Sequence, residues 1–109
     1  MVVRDKIGRK RYIVFSIASE EAPSMEDFGK AVVGFSRKKG MFREIRPKLI
    51  DYDGEVGILR CVHTGRDEAL DLLNSITEVG GTGLTVRTIK TSGTLRKARA
   101  VAKGLASAG

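Results

Sequence analysis

Residues 48–63 read KLIDYDGEVGILRCVH. The segments Lys48 to Tyr52 and Glu55 to His63 are rich in apolar and β-branched residues, a composition typical of strands. Between them stands Asp53-Gly54, a dipeptide that favours the tight turns of β-hairpins. The segment therefore predicts an antiparallel hairpin in the middle of the chain.

A strand and a helix are predicted before this hairpin. Residues 11–18, RYIVFSIA, are apolar on both strand faces, which indicates a central strand. Ser24 is expected to cap a helix that ends before Gly40, because Ser favours helix N-termini and Gly favours C-termini. The apolar stripe predicted to face the core of this helix is Met25, Phe28, Val32 and Phe35.

A second helix, a fourth strand and a terminal helix are predicted after the hairpin. Thr64 is expected to cap the second helix, whose apolar face continues to Val79 and ends at Gly80-Gly81-Thr82-Gly83. The fourth strand is predicted over 84–91, and Thr94 is expected to cap the last helix. Its apolar stripe, predicted to cover the second sheet face, is Leu95, Ala98, Ala102 and Leu105.

This order of elements predicts an α/β fold of the α+β sandwich type. It is a ferredoxin-like, RRM-like βαββαβ arrangement with an antiparallel four-stranded sheet, to which a C-terminal helix is added. The first and third strands should lie in the middle of the sheet. The predicted organisation is a basic flexible arm over residues 1–10, one domain over 11–105 and a tail over 106–109.

The charge of the chain indicates a polyanionic partner. Twenty Lys and Arg residues against 13 Asp and Glu give a net charge of +7, and no acid follows Glu78. Such a balance favours nucleic acid, although a merely soluble basic protein is the alternative. A single cysteine cannot form an internal disulfide, and neither a signal peptide nor a membrane span is visible, so a cytoplasmic protein without a membrane partner is expected.

No catalytic or metal-binding constellation is predicted. Cys61 and His63 share a strand face, but no third group orients them as a nucleophile and base, and two ligands are too few for structural zinc. The acids Asp51, Asp53 and Glu55 could attract a magnesium ion, but acids in a hairpin are more typical of turn formation. A small enzyme that uses Cys61 and His63 is kept as an alternative.

Two stretches are the candidate phosphate-binding segments. Six cations lie within the twelve residues 37–48, and the unit 90–97, KTSGTLRK, predicts a strand, a tight turn and a basic helix start. Strand three carries no aromatic residue, and Tyr12 and Phe15 point to opposite faces of strand one. RNA would therefore be bound through phosphates and shape rather than by bases stacked on the sheet.

Three segments resemble the archaeal ribonuclease P protein component 2 family, which has a eukaryotic counterpart. They are Arg11-Tyr12 with the apolar strand that follows, Gly57-Ile58-Leu59-Arg60-Cys61 after a short acidic hairpin, and Ser92-Gly93-Thr94-Leu95-Arg96-Lys97. The last is the most specific of the three. The resemblance extends from about Arg11 to Lys103.

The resemblance implies a noncatalytic, RNA-binding protein subunit of ribonuclease P, an endonuclease complex in tRNA processing. In that complex the RNA is the catalyst that removes the 5′ leader from precursor tRNA, and Mg²⁺ is expected on the RNA rather than as a cofactor of the protein. The implied partners are ribonuclease P RNA, precursor tRNA and a TIM-barrel-like protein subunit, and self-association stays open. The alternative from another class is a ferredoxin-like regulatory domain that binds a small ligand or dimerises.

Charge and resemblance together give one set of candidate RNA-binding residues, with Gly93 as a structural turn. The set is Arg9, Lys10, Arg11, Arg37, Lys38, Lys39, Arg43, Arg46, Lys48, Arg60, Ser92, Thr94, Arg96, Lys97, Arg99 and Lys103.

Overall fold

The computed structural model describes the backbone of residues 10–108 and the side chains of residues 10–105. Of the predicted arm over residues 1–10, residues 1–9, including Arg9, lie outside the described residues, and Lys10 begins the first strand. The elements are β1 Lys10–Ala18, α1 Met25–Lys38, α2 Phe42–Ile45, β2 Lys48–Tyr52, β3 Val56–Val62, a 3-10 turn His63–Gly65, α3 Arg66–Ser75, β4 Glu78–Val79, β5 Thr82–Gly83, β6 Thr85–Ser92 and α4 Leu95–Ala108.

The four long strands form one antiparallel sheet in the order β2-β3-β1-β6. The first and third of these strands are central, which confirms the ferredoxin-like prediction. The Asp53-Gly54 turn also forms as predicted. The Asp53 carboxylate accepts the backbone N–H groups of Glu55 and Val56 at 2.9 and 2.8 Å, and Gly54 supplies a φ of +97° that other residues rarely adopt.

Alternate residues of the central strands pack against different helices. Ile13, Phe15 and Leu59 face α1 and α3 in the larger cluster, and we call this side the α1/α3 face. Val14 and Ile58 face Ala98 of the terminal helix on the opposite side, the α4 face. The predicted stripe of the terminal helix is confirmed, because Leu95, Ala102 and Leu105 pack against this second cluster.

The first helix follows its prediction except at Met25. The Oγ of Ser24 accepts the N–H of Asp27 at 3.1 Å, and the helix ends at Lys38 before Gly40. Met25, however, is 42% exposed rather than in the core. The space over the sheet at this end of α1 is filled by Phe28, whose ring stacks on those of Phe15 and Tyr52.

The second predicted helix is shorter than its apolar pattern at both ends. Thr64 does not cap it, because Thr64 lies inside the 3-10 turn and α3 begins at Arg66 without a side-chain cap. The helix ends at Ser75, and the residues up to Val79 enter a small β4–β5 hairpin. Gly80 and Gly81, with φ of +61° and +86°, allow this tight turn. Ile76 and Val79 are still buried, which explains the misleading pattern.

Candidate nucleic-acid interface

The sheet topology brings the predicted cations from separate segments to one end of the molecule. β1 begins at this end with Lys10, which is paired with Val62 near the end of β3. β2 begins there, with Lys48 opposite Arg60, and β6 finishes there at Ser92. We call this end of the sheet, with the turns and helix ends beside it, the basic end.

Helix ends add further cations at the basic end. The helix α1 leaves the far end of β1 and returns along the sheet, so its basic last turn meets α2, where Arg37 lies 4.9 Å over the Phe42 ring. α2 in turn contacts the 3-10 turn, since a Cβ on Gly65 would lie 2.2 Å from the Glu44 carbonyl oxygen. The candidate phosphate-binding stretch 37–48 therefore includes the end of α1 and the short helix α2, and it is held against the domain.

Most of the predicted cations at the basic end are accessible. The exposed ones are Arg37, Lys38, Lys39, Arg43, Arg46, Lys48, Arg96 and Lys97, and the partly buried ones are Lys10, Arg11 and Arg60. Arg66, which the prediction did not include, is also exposed here. Its position after the 3-10 turn becomes apparent only from the fold. Three acids, Glu44, Asp67 and Glu68, lie among them, and Asp67 pairs with Arg66 at 3.5 Å.

Arg11 connects three parts of this end. Its Nε donates a hydrogen bond to Nδ1 of His63 at 2.8 Å, and its Nη1 lies 2.8 Å from where a Cβ on Gly93 would stand. The guanidinium therefore ties β1 to the 3-10 turn and to the Ser92-Gly93-Thr94 turn. Arg11 was predicted as an RNA contact, and the structure also gives it this positioning contact, which a separation of 52 residues hides in the sequence.

The start of α4 presents positive charge to solvent. The Oγ1 of Thr94 accepts the N–H of Lys97 at 3.3 Å, which confirms the predicted cap. Ser92 is only 7% exposed, so it offers little surface to a partner. Arg96 and Lys97 lie in a first turn without an acid, where the helix dipole already favours negative charge. An anionic partner would offset this unfavourable placement.

The later cations of α4 lie away from the basic end. Arg99 donates from Nε to Oδ2 of Asp51 at 2.8 Å, and that carboxylate raises the pKa of Arg99 above its ordinary value. Lys103 lines a groove of about 310 Å³ with Asp51 and Asp53. Both side chains are exposed, but they stand beside the acidic hairpin, a neighbourhood that helical spacing alone could not reveal.

Acids gather at the other end of the molecule. The loop after β1, the first turn of α1 and the β2–β3 turn all lie at this end, as does the short β4–β5 hairpin, whose Gly83 carbonyl accepts from Ser19 at 3.2 Å. The acids concerned are Glu20, Glu21, Glu26, Asp27, Asp53, Glu55 and Glu78, whereas Asp51, opposite Ile58, lies midway along the sheet. We call this the acidic end.

Cys61 and His63 do not form a catalytic pair. Cys61 is fully buried in the α1/α3 core, and burial raises the pKa of its thiol to about 11, an effect only partly opposed by Arg11 and Arg66. The Nδ1 of His63 is engaged by Arg11.

Across residues 10–108, no group of three or more His, Cys, Asp or Glu residues is placed to hold a metal ion. Among the same residues, none of the helices combines the length and the apolar composition that a membrane span requires.

Known proteins are similar to this chain in sequence. The model of the Rpp14/Pop5 family matches residues 11–103. Ribonuclease P protein component 2 of Methanosarcina barkeri is 31% identical over 95 residues, which cover 84% of this chain and 70% of that protein. The protein of the same name from Archaeoglobus fulgidus is 30% identical over 96 residues, covering 84% and 86% of the two chains.

The fold is also similar to that of a solved structure. A chain in a cryo-EM structure of yeast ribonuclease MRP superposes with a TM-score of 0.65 at 18% identity, over 91% of this chain and 89% of that one. At this identity the likeness shows a shared fold. With the family model matching residues 11–103, the sequence adds the closer relationship: this chain belongs to the Rpp14/Pop5 family.

Proposed function

We propose that this chain is a noncatalytic protein subunit of ribonuclease P, which binds RNA through its basic end. The RNA of the complex would remove the 5′ leader from precursor tRNA, and the protein would favour compact RNA and substrate binding by neutralising phosphates. Family membership and the names of the archaeal relatives support this function. A cytoplasmic location accords with it.

The separation of charge into a basic and an acidic end is the observation that carries the proposal. Cations from β1, α1, α2, β2, β3 and α4 meet at one end, although the sequence distributes them over most of its length. A merely soluble basic protein needs no such convergence, whereas clustered cations bind several phosphates of a nucleic-acid backbone at once. RNA would therefore approach the basic end, and the acidic end would face away from it.

Other subunits and ions complete the proposed complex. A TIM-barrel-like protein subunit is proposed as the partner of this chain, and the Mg²⁺ ions required for cleavage would be held by RNA. The acidic end is the part of the surface least suited to RNA, so protein contacts would be favoured there.

Cleavage of precursor tRNA by the reconstituted complex tests the proposed function. The RNA and the remaining protein subunits are assembled with or without this chain, and the cleavage rate is measured over a range of Mg²⁺ concentrations. Omission should slow cleavage or raise the Mg²⁺ requirement, because without the protein only the metal ions neutralise the repulsion between phosphates. If omission changes neither quantity, the chain is not a working subunit of this enzyme.

A further inference from the structure

Register-paired residues form a row across all four long strands on the α4 face, at the basic end. Lys48 of β2 lies opposite Arg60 of β3, Arg60 opposite Tyr12 of β1, and Tyr12 opposite Ser92 of β6. Directly opposite residues of antiparallel strands project their side chains to the same face of the sheet. Lys10, two residues before Tyr12 and therefore on this face, begins the next row.

The row contains a like-charge pair that does not favour the fold. Cations directly opposite each other on neighbouring strands repel and destabilise the sheet. Neither Lys48 nor Arg60 forms an ion pair with any part of the chain that the structure describes. A threonine or an acid at either position would suit the sheet better, so the pair indicates a ligand that brings negative charge.

Tyr12 provides an aromatic surface next to this pair. One side of Tyr12 packs against the cluster of Val14, Ile58 and Ala98, and the residue remains partly exposed. Within residues 10–105, the guanidinium found over an aromatic ring is that of Arg37, so Arg60 does not cover Tyr12. The α4 helix covers the next pair of residues, Val14 and Ile58, whereas the row lies at the edge of the area that this helix covers.

We propose that this row binds one single strand of RNA. Lys48, Arg60 and Lys10 would contact successive phosphates, and the exposed part of Tyr12 would stack on one base. Neighbouring strands lie about 4.8 Å apart, so the cations are close enough to follow one backbone. A single strand can splay a base onto Tyr12, whereas a duplex keeps its bases stacked inside. This inference rests on the proposed function and names the form of RNA that the basic end would bind.

The test combines RNA affinity with the stability of the free protein. The full chain is compared with Arg60→Gln, Lys48→Gln and Tyr12→Leu, and the matched control is Arg87→Gln, which removes a cation from β6 opposite Ser16 near the acidic end. The probes are a fluorescent oligouridine single strand and an RNA duplex of equal length. Thermal unfolding is measured without RNA.

The inference predicts opposite effects on stability and on binding. Arg60→Gln and Lys48→Gln should each raise the unfolding temperature, because the repulsion is relieved, and lower the salt-dependence slope of single-strand binding by about one unit. Tyr12→Leu should weaken single-strand binding about tenfold, in line with the loss of one stacked base, and leave duplex binding unchanged. Arg87→Gln should change neither the unfolding temperature nor the binding of single-stranded RNA.

Two results would overturn the inference. One is that Arg60→Gln and Lys48→Gln lower the unfolding temperature and bind the single strand as Arg87→Gln does, which assigns the pair to the fold. The other is that Tyr12→Leu weakens duplex and single strand equally. Either can occur while the wild-type chain still stimulates cleavage, in which case the row is wrong and the proposed function stands.

Discussion

Arg11 acts on the fold as well as on the charge of the basic end. Its guanidinium donates to His63 and lies against Gly93, so one side chain sets the relative positions of β1, the 3-10 turn and the turn before α4. A residue type that suits RNA can therefore be needed first for packing. The sequence shows which residues are cationic, but the contact between Arg11 and His63 depends on the sheet register.

Gly93→Ala should weaken the contact between Arg11 and His63. The new Cβ would lie 2.8 Å from Nη1 of Arg11, so the guanidinium must move. Because Nη1 is the end of a flexible side chain and can shift at little cost, we expect a loss of less than about 1 kcal/mol in the free energy of unfolding, the usual contribution of one such hydrogen bond. Urea unfolding of a double-mutant cycle with Arg11→Met measures it. Alanine at residue 93 should cost nothing once Arg11 is replaced, and an equal cost in both backgrounds would contradict the contact.

Asp53 should make the hairpin sensitive to acid. Backbone N–H groups of Val56 and Glu55 lower the pKa of its carboxyl below the ordinary value of 3.8. The carboxylate therefore adds stability at pH values above the ordinary pKa, and this stability is lost as the pH falls through the lowered value.

Asp53→Asn keeps a side-chain oxygen for the turn but removes the titrating group. Thermal unfolding as a function of pH should show a smaller fall in stability below about pH 4 for this variant than for the wild type. Glu78→Gln, on strand β4 of the other hairpin, provides a matched loss of one acid. An unchanged acid dependence in Asp53→Asn would contradict the role of the carboxylate.

The α4 helix has two differently placed groups of cations. Arg96 and Lys97 stand at the basic end, whereas Arg99 pairs with Asp51 and Lys103 lies beside the same hairpin. A double replacement of Arg96 and Lys97 by alanine should weaken RNA binding and lower its salt slope by about two units, one for each phosphate contact.

The matched control for this prediction replaces Arg99 and Lys103 by alanine. It removes the same charge from the same helix, yet the salt slope measured by fluorescence anisotropy should stay close to that of the wild type. If the control lowers the slope as much as the first variant, the outer face of α4 contacts RNA along its length, and the split drawn from the Arg99–Asp51 pair is wrong.

The contact of Gly65 with α2 should be sensitive to a single methyl group. A Cβ there would lie 2.2 Å from the backbone oxygen of Glu44, which cannot move without α2. Gly65→Ala should lower the free energy of unfolding by about 3 kcal/mol, the upper range for overpacking. Gly34→Ala is the control, because a Cβ at this site in α1 meets nothing within 4 Å and should stabilise the helix by up to about 1 kcal/mol. Equal effects in chemical denaturation would contradict the contact.

The sequence could predict the elements that rest on local chemistry, but not those that depend on tertiary contacts. The Asp53-Gly54 hairpin and the caps at Ser24 and Thr94 rest on local chemistry, and all three are observed. Thr64 also has the local signal of a cap, but it lies within a 3-10 turn in which Gly65 approaches α2 closely. Ile76 and Val79 continued the helical pattern because burial, rather than helix formation, requires them to be apolar.

The separation of charge between the basic end and the acidic end is a property of the whole fold. Along the sequence, cations and acids both occur in the hairpin and in the helices on either side of it, and the net charge of +7 does not say where they lie in the fold. The antiparallel sheet returns each segment to one of two ends, which divides them. The sequence could therefore predict a basic protein with an RNA partner. It could not predict that Arg99 and Lys103 stand apart from the other candidates.

RNA binding through the basic end is tested most directly by charge reversal at the basic end and elsewhere, compared in the reconstituted cleavage assay. Arg43→Glu with Lys97→Glu alters the basic end, and Lys30→Glu with Arg87→Glu makes the same change in net charge elsewhere on exposed positions. If RNA binds through the basic end, the first variant no longer stimulates precursor-tRNA cleavage at low Mg²⁺, while the second stimulates it as the wild type does. Equal stimulation by both variants, or an equal loss in both, would contradict RNA binding through the basic end.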